Sequence, residues 1–163
     1  MTELVESLLR QLTATHDGDP WYGSSRRKLL AGVTPVEARA TPVPGAHSIW
    51  EQVLHMTSWT REVTRRLEGA APAEPPEGDW PGPAGTTAQD WEEAQRALDR
   101  AHRELIAAIR RQPESRWSER VGLTREPALG TGITVMEMLI GLAQHDAYHT
   151  GQIATLRRAA GQL

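Results

Sequence analysis

The 163-residue sequence predicts an all-α protein, a four-helix bundle with a long Pro/Gly-rich connection between its second and third long helices. Two observations carry this. Four long stretches place apolar residues three and four apart, the period of a helix buried along one face. No stretch shows a competing apolar/polar alternation of comparable strength, so nothing builds a sheet large enough to form a layer. Four amphipathic helices in a chain of this length satisfy one another by packing as a bundle, and residues 1–163 are read as one domain.

The first segment runs from Thr2 to about Thr15, with Leu4, Val5, Leu8, Leu9 and Leu12 on its apolar face. HDGDPWYG then breaks the helix. A short helix is expected over Ser24 to Leu30. Another turn is expected in TPVEARA, where Thr34 can cap, Pro35 suits the first position and Glu37 stands three residues after the cap.

The second segment covers His47 to Leu67, with Ile49, Val53, Met56, Thr60 and Leu67 along one side and Gly69 at its end. AAPAEPPEGDWPGPAG follows. Its five prolines and three glycines forbid a regular element, and it is expected to be an exposed connection.

The third segment, Thr87 to Arg111, has the stripe Trp91, Ala94, Leu98, Ala101, Leu105 and Ile109, and Pro113 closes it. Glu114 to Gly132 has no clear period and is expected to be irregular, with one extended piece around Trp117 to Leu123. The fourth segment begins near Ile133, with Thr134 and Glu137 at capping-box spacing, and continues to about Ala160.

Bulk properties narrow the function. There is no cysteine, which excludes disulfides, thiolate metal sites and a cysteine nucleophile. Any thiol chemistry needs a thiol brought in by another molecule. The net charge is −3 and the densest basic cluster, Arg26, Arg27 and Lys28, is small and expected to be solvated. Nucleic-acid binding is therefore not expected. No apolar run approaches the roughly 18–20 residues that span a bilayer. MTELVESLLRQL is acidic and amphipathic, unlike a signal peptide, so the expected location is the cytoplasm. Of the 18 basic side chains only Lys28 is a lysine, which leaves a single candidate for Schiff-base chemistry.

The informative motif is HDAYHTGQI, starting at His145. His145 and His149 stand four apart, about 40° from each other around a helix, and both fall within the apolar arc of the fourth segment. Two stacked buried imidazoles each need hydrogen-bond partners. One solution is a pair of core histidines with such partners. Another is a divalent cation taking one nitrogen from each ring. The motif is not HExxH, because Asp146 stands where the glutamate would be. His55, in IWEQVLHMTSW, lies off the apolar centre of its helix on a stripe with Ser48, Gln52 and Trp59. It reads either as a surface histidine or as a third ligand on a helix buried along two sides. His47 marks the start of its segment, His102 has no partner at ligand spacing, and His16 suits the C-terminal end of the first helix.

SIWEQVLHMTSW and GLAQHDAYHTGQIATLRR resemble the DinB-like family of four-helix bundles, and WYGSSRRKLLAGVTPVEARATPVPGAHSIWE is similar to its N-terminal half. The resemblance implies that the family's three metal-ligand histidines fall on His55, His145 and His149. They would hold one divalent ion, zinc or nickel, with water completing the shell. It also implies a homodimer packed through bundle helices, acting on a small molecule. Relatives include transferases that add bacillithiol or mycothiol to electrophiles, a mycothiol-dependent maleylpyruvate isomerase, and proteins described as metal-dependent hydrolases.

Three functions follow as expectations. The first is thiol S-transfer with a low-molecular-weight thiol as cosubstrate. The second is hydrolysis by a metal-bound water, for which Asp146 and Glu51 are the carboxylates near the ligands. The third is a stress-associated metal-binding dimer with no catalysis. Asp146 is better suited to supporting a ligand ring or a neighbouring helix. Tyr148, on the flank of the ligand face, is a weaker catalytic candidate that could orient substrate, and Gln152, one turn on, is a candidate for a hydrogen bond within the site.

Overall fold

The computed structural model describes residues 2–162. Four long helices form the bundle: α1 (Glu3–Asp17), α4 (Ile49–Leu67), α5 (Ala88–Arg111) and α6 (Val135–Ala159). Two single-turn helices, α2 (Arg26–Leu30) and α3 (Pro35–Arg39), lie in the α1–α4 crossover. The capping chemistry sets the helix starts. Thr34, Ser48, Thr87 and Thr134 each accept a backbone N–H while the acidic residue three positions on returns to the cap.

The segment between α5 and α6 is more ordered than its lack of period suggested. A 3₁₀ turn (Glu114–Ser118) precedes β1 (Arg120–Val121), and a second turn (Pro127–Leu129) leads back to β2 (Ile133–Thr134). The two strands pair antiparallel, Arg120 opposite Thr134 and Val121 opposite Ile133. Such a short ladder leaves almost no alternation to read. Gly132 permits it: its φ is +71°, and a Cβ there would lie 2.6 Å from the Arg125 backbone.

The apolar core falls into two blocks. One joins Leu8, Leu12, Leu105, Ile109, Leu139 and Leu142; the other joins Trp50, Val53, Trp91, Leu98, Ile153 and Leu156. Trp50 and Trp91 meet with ring centroids 5.2 Å apart, and the Trp91 Nε1–H donates to the Val33 carbonyl at 2.7 Å. Between the blocks, α6 carries His145, Asp146, His149 and Thr150, and α5 carries His102. A layer of polar side chains thus lies between the two blocks, all of them buried but His145, which is 27% exposed.

α4 is buried nearly all round, Gln52, His55, Thr57, Ser58 and Glu62 included. That settles the ambiguity over His55, which is 5% exposed and not a surface residue. Among the described residues, no helix is long and apolar enough to cross a membrane.

Candidate metal centre

His55 on α4 and His145 and His149 on α6 converge. One nitrogen from each ring lies within 4.8 Å of the others. The His55 and His145 Nε2 atoms are 2.8 Å apart, and the His149 ring lies edge-on to both, at centroid distances of 4.5 and 4.4 Å.

Hydrogen bonds behind the rings fix which nitrogens face inward. The His55 Nδ1–H donates to the Asp79 carbonyl at 2.6 Å, and the His149 Nδ1–H donates to Gln52 Oε1 at 2.6 Å. Both acceptors lack protons, so both Nδ1 atoms carry one and both Nε2 atoms present a lone pair. Burial, with His145 and His55 beside it, lowers the His149 pKa to about 3, and burial lowers that of His55 as well. Both rings are therefore neutral ligands at pH 7.

The third ring is the incomplete one. With a lone pair on His55 Nε2, the 2.8 Å contact needs the proton on His145 Nε2. That leaves His145 Nδ1 buried without a partner, while Asp146 Oδ1, also unpartnered, lies 3.8 Å away. A cation on the three Nε2 atoms would displace the shared proton and let His145 carry one on Nδ1, facing Asp146. The donor set and the two orphaned atoms together fit a divalent ion of the kind bound by imidazole.

Behind the cluster lies an ionic network. Asp146 Oδ2 meets Arg26 at 3.0 Å. Burial raises the Asp146 pKa, but Arg26 and then His145 more than offset it, and the carboxyl stays ionised below the usual range. Arg26 also donates to His16 Nδ1 at 2.9 Å, so His16 is neutral and its Nε2–H faces Asp99 at 2.9 Å. His102 stacks on His16 with centroids 4.0 Å apart. Arg26 is 1% exposed, so the expectation of a solvated basic cluster does not hold for it.

The Pro/Gly-rich connection is not simply exposed. It straps the site. Trp80 is sandwiched between His47 and His55, at centroid distances of 3.6 and 3.9 Å. Asp79 Oδ1 accepts from Trp59 Nε1 at 2.7 Å, and Ala73 N–H donates to Glu62 at 3.0 Å.

The other sequence candidates are placed as follows. Glu51 is engaged in the α4 capping box with Ser48. Tyr148 is exposed, its ring edge-on to His149 at 5.0 Å. The amide that bonds a site histidine is Gln52, not Gln152. Sequence reasoning missed Gln52, Asp79, Trp80 and Arg26 as parts of the site. Gln52 had a signal, standing one turn before His55 on the same stripe.

A helical bundle with three inward imidazoles on its second and fourth long helices defines a class. The DinB superfamily profile matches residues 25–153, which include all three histidines, and the chain belongs to that superfamily. Comparisons with curated proteins and with solved structures gave no significant match.

Proposed function

We propose that this chain is a metal-dependent enzyme of the thiol S-transferase type. His55, His145 and His149 would hold one zinc or nickel ion. An ion there would lower the pKa of a bound thiol so that the thiolate predominates at neutral pH. The chain's own part is preorganisation. The Asp79 carbonyl and Gln52 hold two rings in the ligating tautomer, Asp146 backs the third, and Trp80 keeps water off His55.

The carrying observation is the three-nitrogen donor set, one short of the four that closed structural sites use. Thiol transfer is favoured over hydrolysis by the state of the nearby carboxylates. A general base would assist hydrolysis, but the buried Asp146 is turned to Arg26 and Glu51 caps α4, which leaves only the half-exposed Asp79, its Oδ1 bonded to Trp59, near the ligands. With no cysteine in the chain, the nucleophile arrives on a low-molecular-weight thiol. We further propose a cytoplasmic homodimer, for which the α1–α6 face exposing Leu4, Tyr22 and Ile140 is the candidate interface.

The test is metal content by mass spectrometry on untagged protein, wild type beside His149→Ala, then turnover of an electrophile with and without added thiol. About one ion per chain, lost in the variant, with thiol-dependent turnover, is expected. Near-zero metal in both proteins would remove the reading. Metal with thiol-independent ester cleavage would replace it by hydrolysis.

A further inference from the structure

A cavity of about 380 Å³ opens beside His55 and His145. Its walls are Trp59, Val63, Leu129, Ile133, Met138 and Leu142, contributed by α4, by the strand-and-turn segment before α6, and by α6 itself. A largely hydrocarbon pocket with a few polar groups on its walls is the usual form of a small-molecule site.

Two charged side chains reach this cavity, and one of them is ion-paired. Arg66 donates to Glu62 at 2.7 Å, to the Leu129 carbonyl at 2.7 Å and to the Ala73 carbonyl at 2.9 Å. Glu62, 1% exposed, neutralises it. Asp79 sits at the rim, bonded to Trp59. An anionic ligand body would lose its water, find Arg66 already held by Glu62 and meet the Asp79 carboxylate, which no cation among the described residues neutralises.

Gly141 supplies a second observation. It lines the cavity from within α6, where glycine is a poorer helix former than alanine. A Cβ at Gly141 would meet nothing within 4 Å, so no helix packing against it requires the glycine. Gly141 is exposed and shares a helical stripe with Met138, Leu142 and His145, which also line the cavity, so a long side chain there would reach the cavity mouth.

We propose that this cavity binds the uncharged, apolar body of a small molecule, of one- to two-ring size, with its polar or reactive end directed at His55 and His145. The size follows from volume: a cavity of about 150 Å³ holds benzene, and this one is larger. On the thiol-transfer reading, on which the assignment of a reactive end rests, the cavity takes the electrophile and the hydrated thiol approaches from outside it. Binding of the apolar body needs no metal.

The test is calorimetric titration of the full chain with 2-naphthol, and with 2-naphthoate as a charged molecule of the same ring system, before and after chelation. Variants are Gly141→Leu, which sets a long side chain at the cavity mouth, and Gly141→Ala, which adds one methyl. Both replace glycine by better helix formers and should melt no lower than wild type. Saturable 2-naphthol binding is expected in wild type and Gly141→Ala, surviving chelation. It should weaken by about tenfold or more in Gly141→Leu, a loss of about 1.4 kcal/mol. In chelated protein 2-naphthoate should bind more weakly than 2-naphthol.

Equal affinity in wild type and Gly141→Leu would overturn the proposal. So would absence of saturable binding, or 2-naphthoate matching 2-naphthol after chelation. The two readings fail separately. Naphthol binding to a chain that takes up no metal sinks the metal centre and leaves the cavity; metal uptake without naphthol binding does the reverse.

Discussion

Arg26 and Asp146 meet at 3.0 Å in the middle of the bundle, their side chains 1% and 2% exposed. Removing one partner of such a pair strands the other as a buried charge, at about 3–5 kcal/mol. Arg26→Met is expected to lower stability by that order, measured by urea unfolding. The double variant Arg26→Met/Asp146→Leu should recover most of the loss. If Arg26→Met alone unfolds at the wild-type midpoint, the pair does not hold α2 to α6.

Gln52 supports the candidate metal centre from behind, through the His149 nitrogen that faces away from the other two rings. Its Oε1 holds the His149 Nδ1–H at 2.6 Å. Gln52→Leu is expected to fold and to lose about 10–100-fold in metal affinity, the usual effect of removing an outer partner of a ligating histidine. Chelator competition measures it. Unchanged affinity would mean that the ring is oriented by packing alone.

His16 and His102 predict acid sensitivity. Burial lowers both, with Arg26 and Arg27 acting further on His16 and the neighbouring His16 on His102, to pKa values of about 3. The unfolded chain titrates these rings near 6.5. Between about 6.5 and 3 the unfolded state binds more protons, so stability falls as pH falls through this window. Each ring contributes up to about 1.4 kcal/mol per pH unit there. Urea midpoints from pH 7 to pH 5 should decline, and His102→Gln should make the decline shallower. A pH-independent midpoint in wild type would contradict the buried neutral pair.

Ile140 is 37% exposed on the α1–α6 face, beside a surface groove shared with Leu4 and Tyr22. Light scattering is expected to give a dimer for the wild type and a monomer for Ile140→Glu, since a buried unpaired carboxylate at an interface is costly. A monomeric wild type, or a dimeric variant, would place the interface elsewhere or remove it.

Much of the bundle could be read from periodicity, because each long helix repeats its signal over several turns. Leu98, Leu105 and Ile109 on α5 were placed correctly and are buried. The capping boxes at Thr34 and Thr134 lie wholly within four residues and needed no tertiary knowledge. The extended piece expected around Trp117 to Leu123 contains β1, but its pairing with Ile133–Thr134 is unreadable, since two residues cannot show a period.

The site divides in the same way. HDAYH announces itself by local spacing. Asp79 and Trp80 reach His55 from a connection whose prolines and glycines signal only the absence of a helix. Arg26 looked like part of a surface run because its partner, Asp146, is 120 residues away (146 − 26).

The two closest imidazole nitrogens belong to residues 90 apart in the chain. During synthesis, at about 5–20 residues per second, His55 therefore emerges several seconds before its partners. A nascent chain holds one imidazole of the set until α6 is made, and a lone imidazole captures an ion poorly. On the metal-binding reading, uptake becomes a late event, and a chain that has lost α6 to truncation or proteolysis lacks two of the three imidazoles.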